Sequence, residues 1–301
     1  DPSKANGLWE PKNDDDKFEG PMRLREALVE SKNLVSVRLL DAIGVRYARE
    51  YATHFGFSLQ QLPDNLSFAL GTASVSPVAM ARGYAVFANG GFLVDPYFID
   101  RIVDRDSREI YKAQPILACR HCPQRLLEDA REQAAAANAQ PGDAQPIKAA
   151  LSTAPAAAAA TPADPNAPKL APRVLDARTA YLIGSILRDV VRRGTGHDAM
   201  VLKRNDLAGK TGSTNDHRDA WFNGYNDDLV ASVWVGFDDF SSLGRSNGVG
   251  EFGAQAALPM WIEFMRTALN GAPEQPFEMP PGITTARIDK ATGQLAPAGD
   301  P

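Results

Sequence analysis

Two short runs of aromatic and β-branched residues, separated by a polar turn, constrain the fold of this chain more than any other feature. The runs span residues 220–225 and 229–236, and Asn226-Asp227-Asp228 lies between them. Aromatic and β-branched residues favour pleated strands, and a short polar turn between two such runs indicates a β-hairpin. The chain is therefore expected to contain an antiparallel sheet.

A Gly-Lys-Thr triplet, Gly209-Lys210-Thr211, lies just before this hairpin and could be the end of a nucleotide-binding P-loop. A P-loop needs a glycine with four residues between it and the Gly-Lys pair, and Arg204 holds that position. A P-loop also opens a helix after the lysine, whereas a polar turn at 213–219 follows here. The P-loop interpretation fails, and the triplet is better placed on a strand.

The bulk composition is that of a globular protein without a nucleic-acid partner. The chain has 301 residues, 44% of them hydrophobic, which is enough for a sizeable core. The net charge of −5 and the lack of a basic run argue against nucleic acid. No apolar stretch approaches a membrane span and no signal peptide is evident. Because the chain opens with Asp1-Pro2, we expect a piece of a longer protein.

The two cysteines, Cys119 and Cys122, form a single C-x-x-C. Such a pair is compatible with half a zinc site, a redox pair or a local disulfide. A local disulfide or two idle thiols is the favoured interpretation, since no second C-x-x-C exists. A three-ligand metal site completed by His121 is the alternative. No metal ion and no cofactor are assigned.

Apolar residues at helical spacing predict several helices. Residues 22–44 give two helices that meet at Ser31-Lys32-Asn33, with Gly44 as a C-cap. Ser76-Pro77 has the pattern of an N-cap followed by proline at the first helical position. In that helix the predicted buried face comprises Val78, Met80, Ala81, Tyr84, Ala85 and Phe87. Further helices are predicted over 45–55, after Asp176 to about residue 191, and over 256–269.

Composition divides the chain into five parts. An extended approach segment, 1–20, precedes a helical part, 21–111. An insertion rich in alanine and proline, 112–171, has little to bury and is expected to be largely disordered. A sheet-containing part, 172–271, and a C-terminal extension, 272–301, complete the chain. The fold class is α/β of the α+β type, an antiparallel sheet covered by helices with the Lys210 strand at one edge.

Two triplets, Ser31-Lys32-Asn33 and Lys210-Thr211-Gly212, resemble the second and third motifs of penicillin-recognising serine acyltransferases. The stretches "LREALVESKNLVSVRLLDAIG", "LGTASVSPVAMARGYAVFANGG" and "AGKTGSTNDHRDAWFNGY" are similar to the transpeptidase domain of bifunctional class A penicillin-binding proteins of the type 1a kind. The resemblance covers residues 8–111 and 172–296. It implies a penicillin-binding, β-lactamase-like transpeptidase fold with an accessory insertion.

The resemblance also implies roles for individual residues. Ser31 would relay protons to a leaving nitrogen, Asn33 would donate to a substrate amide carbonyl, and Lys210 would supply positive charge. The hydroxyls of Thr211 and Ser213 would bind a substrate carboxylate, and the Ser213 N–H would form half of an oxyanion hole. Gly212 would let substrate lie along the strand, and Thr214 is a weaker candidate for the same cleft.

Some of these residues, and others near them, could have a purely structural role. Ser31 could simply cap a helix while Asn33 fills a polar turn. The aromatic residues Trp221, Phe222 and Tyr225 are taken mainly as core and scaffold. Gly194-Thr195-Gly196 could be a loop beside the cleft or an ordinary end of a helix.

One departure from the family pattern is important: no serine in the chain has a lysine three positions later. The family's nucleophile lies in such an S-x-x-K motif, upstream of S-x-N. We therefore expect the nucleophilic serine on an upstream segment outside this chain. A non-catalytic binding or regulatory module that has lost its nucleophile is the competing interpretation.

The implied function is peptidoglycan D,D-transpeptidation at D-Ala-D-Ala, as the C-terminal part of a glycosyltransferase/transpeptidase. Implied partners are peptidoglycan stem peptides, the lipid-linked precursor, β-lactam antibiotics and a periplasmic or outer-membrane regulator at the insertion. The implied location is the periplasmic face of the bacterial inner membrane, with an anchor upstream. A serine β-lactamase or D,D-carboxypeptidase shares these motifs and is the alternative enzyme class.

Overall fold

The computed structural model describes residues 9–120, 122–123, 169–214, 217–246, 249–250, 252–289 and 293–296. The chain divides into two compact units. Asp1–Leu93 and Arg173–Pro301 form the main unit, and Val94–Pro172 forms the inserted unit. The change of composition at residue 112 falls inside the inserted unit. The predicted disorder of the alanine- and proline-rich segment concerns mostly residues outside the described ranges.

The inserted unit contains a small antiparallel hairpin of β1 (Arg101–Val103) and β2 (Glu109–Lys112). Asp104 closes the turn, because its Oδ1 accepts the N–H groups of Asp106 and Arg108 at 2.8 and 2.9 Å. A disulfide joins Cys119 to Cys122, as favoured from the sequence. The alternative metal site involves His121, which lies outside the described residues.

The N-terminal part of the main unit is helical, as predicted. Gly44 ends one helix at φ 91°, and Ser76 accepts the N–H of Ala79 at 3.3 Å to cap another, with Pro77 at its first turn. The helices are α1 (Leu24–Val29), α2 (Asn33–Ile43), α3 (Val45–Ala52) and α4 (Pro77–Ala88), with 3-10 turns at Thr53–Phe55, Leu59–Gln61 and Leu66–Leu70.

The rest of the main unit carries the sheet between two helices. Asp176 caps the helix that begins at Ala177 by accepting the N–H groups of Arg178 and Thr179. The elements are α5 (Ala177–Arg193), a 3-10 turn (His197–Leu202), β3 (Ala208–Ser213), β4 (Asp219–Tyr225), β5 (Val230–Gly236), β6 (Arg245–Ser246), β7 (Val249–Gly250), a π-helical turn (Gly253–Ala257) and α6 (Leu258–Ala268). None of the helices among the described residues combines the length and apolar character needed to cross a bilayer.

The three long strands form one antiparallel sheet in the order β3-β4-β5. The predicted hairpin is present, and Asn226 fixes its turn by accepting the N–H groups of Asp228 and Leu229 at 3.2 and 2.9 Å. Within the described ranges β3 pairs only with β4, so the strand of Lys210 lies at an edge, as predicted.

Helices cover both faces of this sheet. Phe222 packs in a T-shaped contact on Trp261 of α6, with ring centroids 4.9 Å apart. Tyr225 is an odd number of residues further along β4 and therefore faces the other way, where it joins a cluster with Ala88 of α4 and Leu187 of α5. Burial of these aromatic side chains on both faces holds the edge strand in place.

The predicted buried face of α4 is partly wrong. Val78 is 43% exposed, whereas Val86, outside the predicted face, is fully buried. The middle of the helix packs against the loop that contains Phe57, which approaches Gly83. The buried stripe therefore follows tertiary contacts that helical periodicity does not specify.

The two points where the inserted unit interrupts the main unit are neighbours in the backbone of the main unit. Phe92 and Arg173 form an antiparallel bridge. The carbonyl of Gly91 accepts the N–H groups of Val174 and Leu175 at 2.8 and 3.1 Å. The break in the main unit is therefore closed by its own backbone hydrogen bonds.

Candidate active site

The turn that ends α1 determines where the Ser31 side chain lies. The N–H of Lys32 donates to the Ala27 carbonyl at 2.8 Å, and the N–H of Ser31 donates to the Leu28 carbonyl at 3.3 Å. These two bonds form a Schellman motif, which needs a left-handed residue that is usually glycine. Ser31 occupies that position with φ 57°. A side chain there costs roughly 1–2 kcal/mol, so the presence of serine suggests a need for its hydroxyl.

Lys210 contacts this hydroxyl directly. Its Nζ donates to Ser31 Oγ at 2.8 Å and to the Thr211 carbonyl oxygen at 3.0 Å. The two residues are 179 positions apart in the chain, so only the fold can bring them together. The structure thus joins the S-x-N and K-T-G triplets at one point.

Burial changes the acid–base behaviour of Lys210. The side chain is half-buried, and this desolvation lowers the pKa of Lys210 to about 8. Below that pH the group is an ammonium ion that can attract a carboxylate. Its proton is nevertheless held less tightly than that of a surface lysine, so exchange with a neighbouring hydroxyl is easier.

The edge of β3 presents a backbone donor on the same side as Lys210. The N–H of Thr214 donates to the Asp219 carbonyl at 3.1 Å and therefore points toward β4. Backbone groups of successive residues in an antiparallel pair alternate sides, so the N–H of Ser213 points away from β4. The Thr211 carbonyl, which accepts Lys210, lies on that outer side. A donor at a strand edge beside a cation is a suitable half of an oxyanion hole.

The hydroxyl of Ser213 is oriented by a close backbone approach. Ser213 Oγ accepts the N–H of Gly253 at 2.9 Å. A Cβ on Gly253 would overlap the carbonyl oxygens of Trp221 and Gly212, so only glycine fits there. Since the backbone N–H can only donate, the hydrogen of the Ser213 hydroxyl must point elsewhere, which suits it to donate to an anion.

The other predicted substrate-binding residues have protein contacts of their own. Gly212 is crowded, because a Cβ there would come within 3.2 Å of Trp221 Cβ. Thr214 Oγ1 accepts the N–H groups of Arg218 and Asp219 at 3.0 and 2.8 Å and so closes the turn between β3 and β4. These contacts give both residues a structural role, and their roles toward substrate stay predictions.

Asn33 starts α2 and is fixed by the segment that precedes α1. Its Nδ2 donates to the Lys12 carbonyl at 3.0 Å, and Asn13 Oδ1 accepts the N–H of Leu34 at 3.1 Å. We call residues 12–19 the N-terminal strap. An amide nitrogen carries two hydrogens, so the bond to Lys12 is compatible with the predicted donation to substrate.

Lys32 anchors the N-terminal strap to the S-x-N turn. It is only 6% exposed, and its Nζ pairs with Asp15 at 2.8 Å, Glu19 at 3.2 Å and Glu30 at 3.6 Å. The hydrogen bond to Asp15 is the largest cause that raises the pKa of Lys32. Lys32 is therefore a fixed cation that holds Ser31 and Asn33 between strap and helix.

Ion pairs hold α1 against α5. Arg25 donates to Asp189 at 3.0 Å and to Ser185 at 3.1 Å. Glu26 pairs with Arg193, and the hydrogen bond from Arg193 is the largest cause that lowers the pKa of Glu26. Because α5 leads into the loop beside β3, these pairs help fix the distance between Ser31 and Lys210.

Sequence reasoning missed three contributors to this site. The sequence predicts only an extended segment for the acidic residues of the N-terminal strap, and no local pattern identifies Asp15 and Glu19 as partners of the buried Lys32. The sequence does not decide between a cleft loop and a helix end for Thr195, whose Oγ1 lies 2.7 Å from Thr211 Oγ1 in the structure. Gly253 acts through its backbone and gave no signal in the sequence.

No ligand set for a metal ion emerges from the described part of the chain, where no group of three His, Cys, Asp or Glu residues could hold one. The chemistry of the site is that of one lysine, several hydroxyls and backbone donors. Such a set suits the binding of a carboxylate and the transfer of protons beside a reacting carbonyl group.

Comparisons with known proteins identify the family of this chain. The family model "Penicillin binding protein transpeptidase domain" matches residues 2–239. Penicillin-binding protein 1A of Pseudomonas aeruginosa is 46% identical over 294 residues, 98% of this chain and 35% of that protein. Penicillin-binding protein 1A of Escherichia coli is 41% identical over 99% of this chain and 38% of that protein.

A solved structure has the same fold over nearly the whole chain. The crystal structure of penicillin-binding protein 1A from Haemophilus influenzae aligns with a TM-score of 0.79 at 35% identity. The alignment covers 98% of this chain and 42% of that one. The chain thus spans well under half the length of these relatives.

The strained turn at Ser31 can be tested with two variants. Ser31→Gly and Ser31→Ala both lose the contact with Lys210, so their difference isolates backbone strain. We expect Ser31→Gly to be more stable than Ser31→Ala by about 1 kcal/mol, because glycine adopts positive φ without a Cβ clash. Urea unfolding measures the difference. Equal stability of the two variants would show that the turn is not strained.

The lowered pKa of Lys210 predicts a pH dependence of stability. An unfolded lysine titrates near 10.5 and folded Lys210 near 8, so between these values the unfolded chain binds more protons. The free energy of unfolding should therefore rise as the pH increases from about 8 to 10.5. Below about pH 8 the folded protein carries the full cost of burying the charged ammonium group. Lys210→Met should lose this rise in urea unfolding between pH 8 and 10.5. An unchanged rise in the variant would assign it to other groups.

The anchor role of Lys32 predicts a loss of stability in Lys32→Met. Lys12→Met is the matched control, because Lys12 and its partner Asp16 are 67% and 73% exposed and such pairs contribute little. The hydrogen bond from Lys32 is the largest cause that lowers the pKa of Asp15. The loss of stability in Lys32→Met should therefore be complete at pH 7. It should shrink as the pH falls below the usual pKa of an aspartate and Asp15 becomes protonated. Thermal unfolding at several pH values checks this. Equal effects of the two substitutions would refute the anchor role.

Proposed function

The chain belongs to the transpeptidase family of penicillin-binding proteins, and we propose that it supplies the S-x-N and K-T-G parts of a peptidoglycan D,D-transpeptidase active site. The contact of Lys210 Nζ with Ser31 Oγ at 2.8 Å carries this proposal. It supports a shared site because two motifs remote in sequence meet where a proton relay needs them.

In the proposed first step, a serine hydroxyl attacks the carbonyl carbon of the D-Ala-D-Ala peptide bond. The serine oxygen–carbon bond forms, the carbon–nitrogen bond breaks, and D-Ala leaves with a proton on its nitrogen. The proton that the attacking serine gives up reaches the leaving nitrogen through Ser31, while Lys210 holds the Ser31 hydroxyl in position by donating to its oxygen. The lowered pKa of Lys210 suits this exchange.

The remaining residues hold the substrate in the proposed complex. The hydroxyls of Thr211 and Ser213 donate to the terminal carboxylate, beside the charge of Lys210. The N–H of Ser213 stabilises the oxyanion that forms on the attacked carbonyl. Asn33 donates to an amide carbonyl of the stem peptide. Gly212 and Thr214 border the path of the peptide along the edge of β3.

In the second step the amine of a neighbouring stem peptide attacks the acyl-serine ester. A new peptide bond forms, the serine oxygen takes back a proton, and the two strands of peptidoglycan are linked. A β-lactam would acylate the same serine through its strained amide. Its leaving nitrogen stays attached to the acyl group, so it continues to block the attacking amine.

We assign the nucleophile to an S-x-x-K serine in sequence upstream of this chain, since none of its own serines fits that motif. The greater length of the relatives supports this assignment. In the same proposal the longer protein carries a glycosyltransferase and a membrane anchor and acts at the periplasmic face of the inner membrane. Lipid-linked precursor is then a further substrate, and the inserted unit is the proposed place for a regulator.

Labelling with a fluorescent penicillin tests the function in the full-length protein. We expect covalent labelling of the wild type and a labelling rate at least about a hundredfold lower in Lys210→Met, because a proton-relay partner and a carboxylate-binding charge are both lost. Lys112→Met is the matched control, since Lys112 is exposed in β2 of the inserted unit, and it should label like wild type.

The same samples separate the competing functions. Intact wild-type protein that never acquires label would contradict the transpeptidase proposal and favour a non-catalytic module. Rapid turnover of a chromogenic cephalosporin would favour a β-lactamase. Equal labelling of Lys210→Met and Lys112→Met would remove Lys210 from the site.

A further inference from the structure

Thr195 lies between the two motifs and touches the elements that carry both. Its Oγ1 is 2.7 Å from Thr211 Oγ1 on β3. Its N–H donates to the Val29 carbonyl at 3.4 Å, at the last residue of α1 and just before the Ser31 turn. Thr195 therefore connects the end of α1 with the hydroxyl of Thr211, the residue that follows Lys210.

The glycines on either side of Thr195 hold it there. A Cβ on Gly194 would come within 2.5 Å of the Val29 carbonyl oxygen, and a Cβ on Gly196 within 3.3 Å of the Phe222 ring. Both glycine N–H groups also donate to the Val190 carbonyl, at 3.0 and 3.1 Å. The loop is thus pressed between α1 and the sheet, and Thr195 has the one side chain that extends from it to β3.

We propose that Thr195 is a positioning residue that directs the Thr211 hydroxyl toward the substrate carboxylate, and this inference rests on the proposed function. A threonine hydroxyl donates one hydrogen and accepts through two lone pairs. When Thr211 donates to a carboxylate, it can still accept the hydrogen of Thr195. Thr195 thereby keeps Thr211 in the rotamer that faces the ligand.

The two carboxylate-binding hydroxyls are prepared in different ways. Ser213 accepts a backbone N–H from Gly253, a donor that cannot reverse, so its own hydrogen always points away from that bond. The Thr195–Thr211 pair can reverse, because either hydroxyl can be the donor. The contribution of Thr195 is therefore greatest when a negatively charged ligand fixes the direction of donation.

A merely structural role for Thr195 makes a different prediction. If the hydroxyl pair only ties the loop to β3, its loss would slow acylation by every ligand equally or lower stability alone. If Thr195 directs Thr211 to an anion, its loss affects ligands that carry the carboxylate and spares those that do not.

The experiment compares Thr195→Val and Thr195→Ser in the full-length protein. Valine keeps the branched shape without the hydroxyl, and serine restores the hydroxyl. Thr267→Val is a control, because Thr267 lies exposed on α6 and bonds only within its helix. Acylation rates are measured with a penicillin that has its free carboxylate and with the methyl ester of the same compound.

We expect Thr195→Val to slow acylation by the free acid about tenfold, the upper end of what one net hydrogen bond between neutral groups contributes, and to change the ester rate by less than about twofold. Thr195→Ser and Thr267→Val should stay within about twofold of wild type for both ligands. Equal slowing with acid and ester, or no slowing with either, would overturn this inference while leaving the proposed function intact. A wild type that neither compound acylates would overturn both.

Discussion

The hydrogen bond between Lys210 and Ser31 is the contact on which the remaining arrangement depends. It joins an edge strand to a helix turn, and neither element could hold its partner's side chain alone. Strand β3 is fixed because aromatic residues of β4 are buried on both faces of the sheet. The turn at Ser31 is fixed by ion pairs between α1 and α5 and by the ion pairs of Lys32 with three carboxylates. A small shift of either support would separate the two groups.

Much of this arrangement could be predicted from the sequence, because its signals are local. Periodicity and capping residues gave the helix junction at Ser31, the Ser76-Pro77 start and the hairpin at Asn226. The edge position of Lys210 followed from the order of the elements and from the family resemblance. The buried face of α4 was partly wrong, since loop residues such as Phe57 decide which side is covered. The partners of Lys32, and those of Thr211, depend on contacts between distant segments, which local patterns do not encode.

Two residues that the proposed chemistry uses carry costs to stability, one from backbone strain and one from burial of a charge. Ser31 holds a backbone conformation that glycine would hold at lower cost, and Lys210 carries its charge where solvent is restricted. Both features reduce stability, and both are supported by surrounding contacts that are ordinary and favourable. This pattern is expected when a site requires groups in places that folding alone would not select.

The bridge between Phe92 and Arg173 has a consequence for how such a chain can change over time. Residues 94–172 depart and return at adjacent points of a backbone that is already closed by its own hydrogen bonds. Their number and content are therefore uncoupled from the spacing of the residues around Lys210, because lengthening a loop whose ends stay fixed costs little. This segment can therefore change in length while the residues around Lys210 keep their spacing.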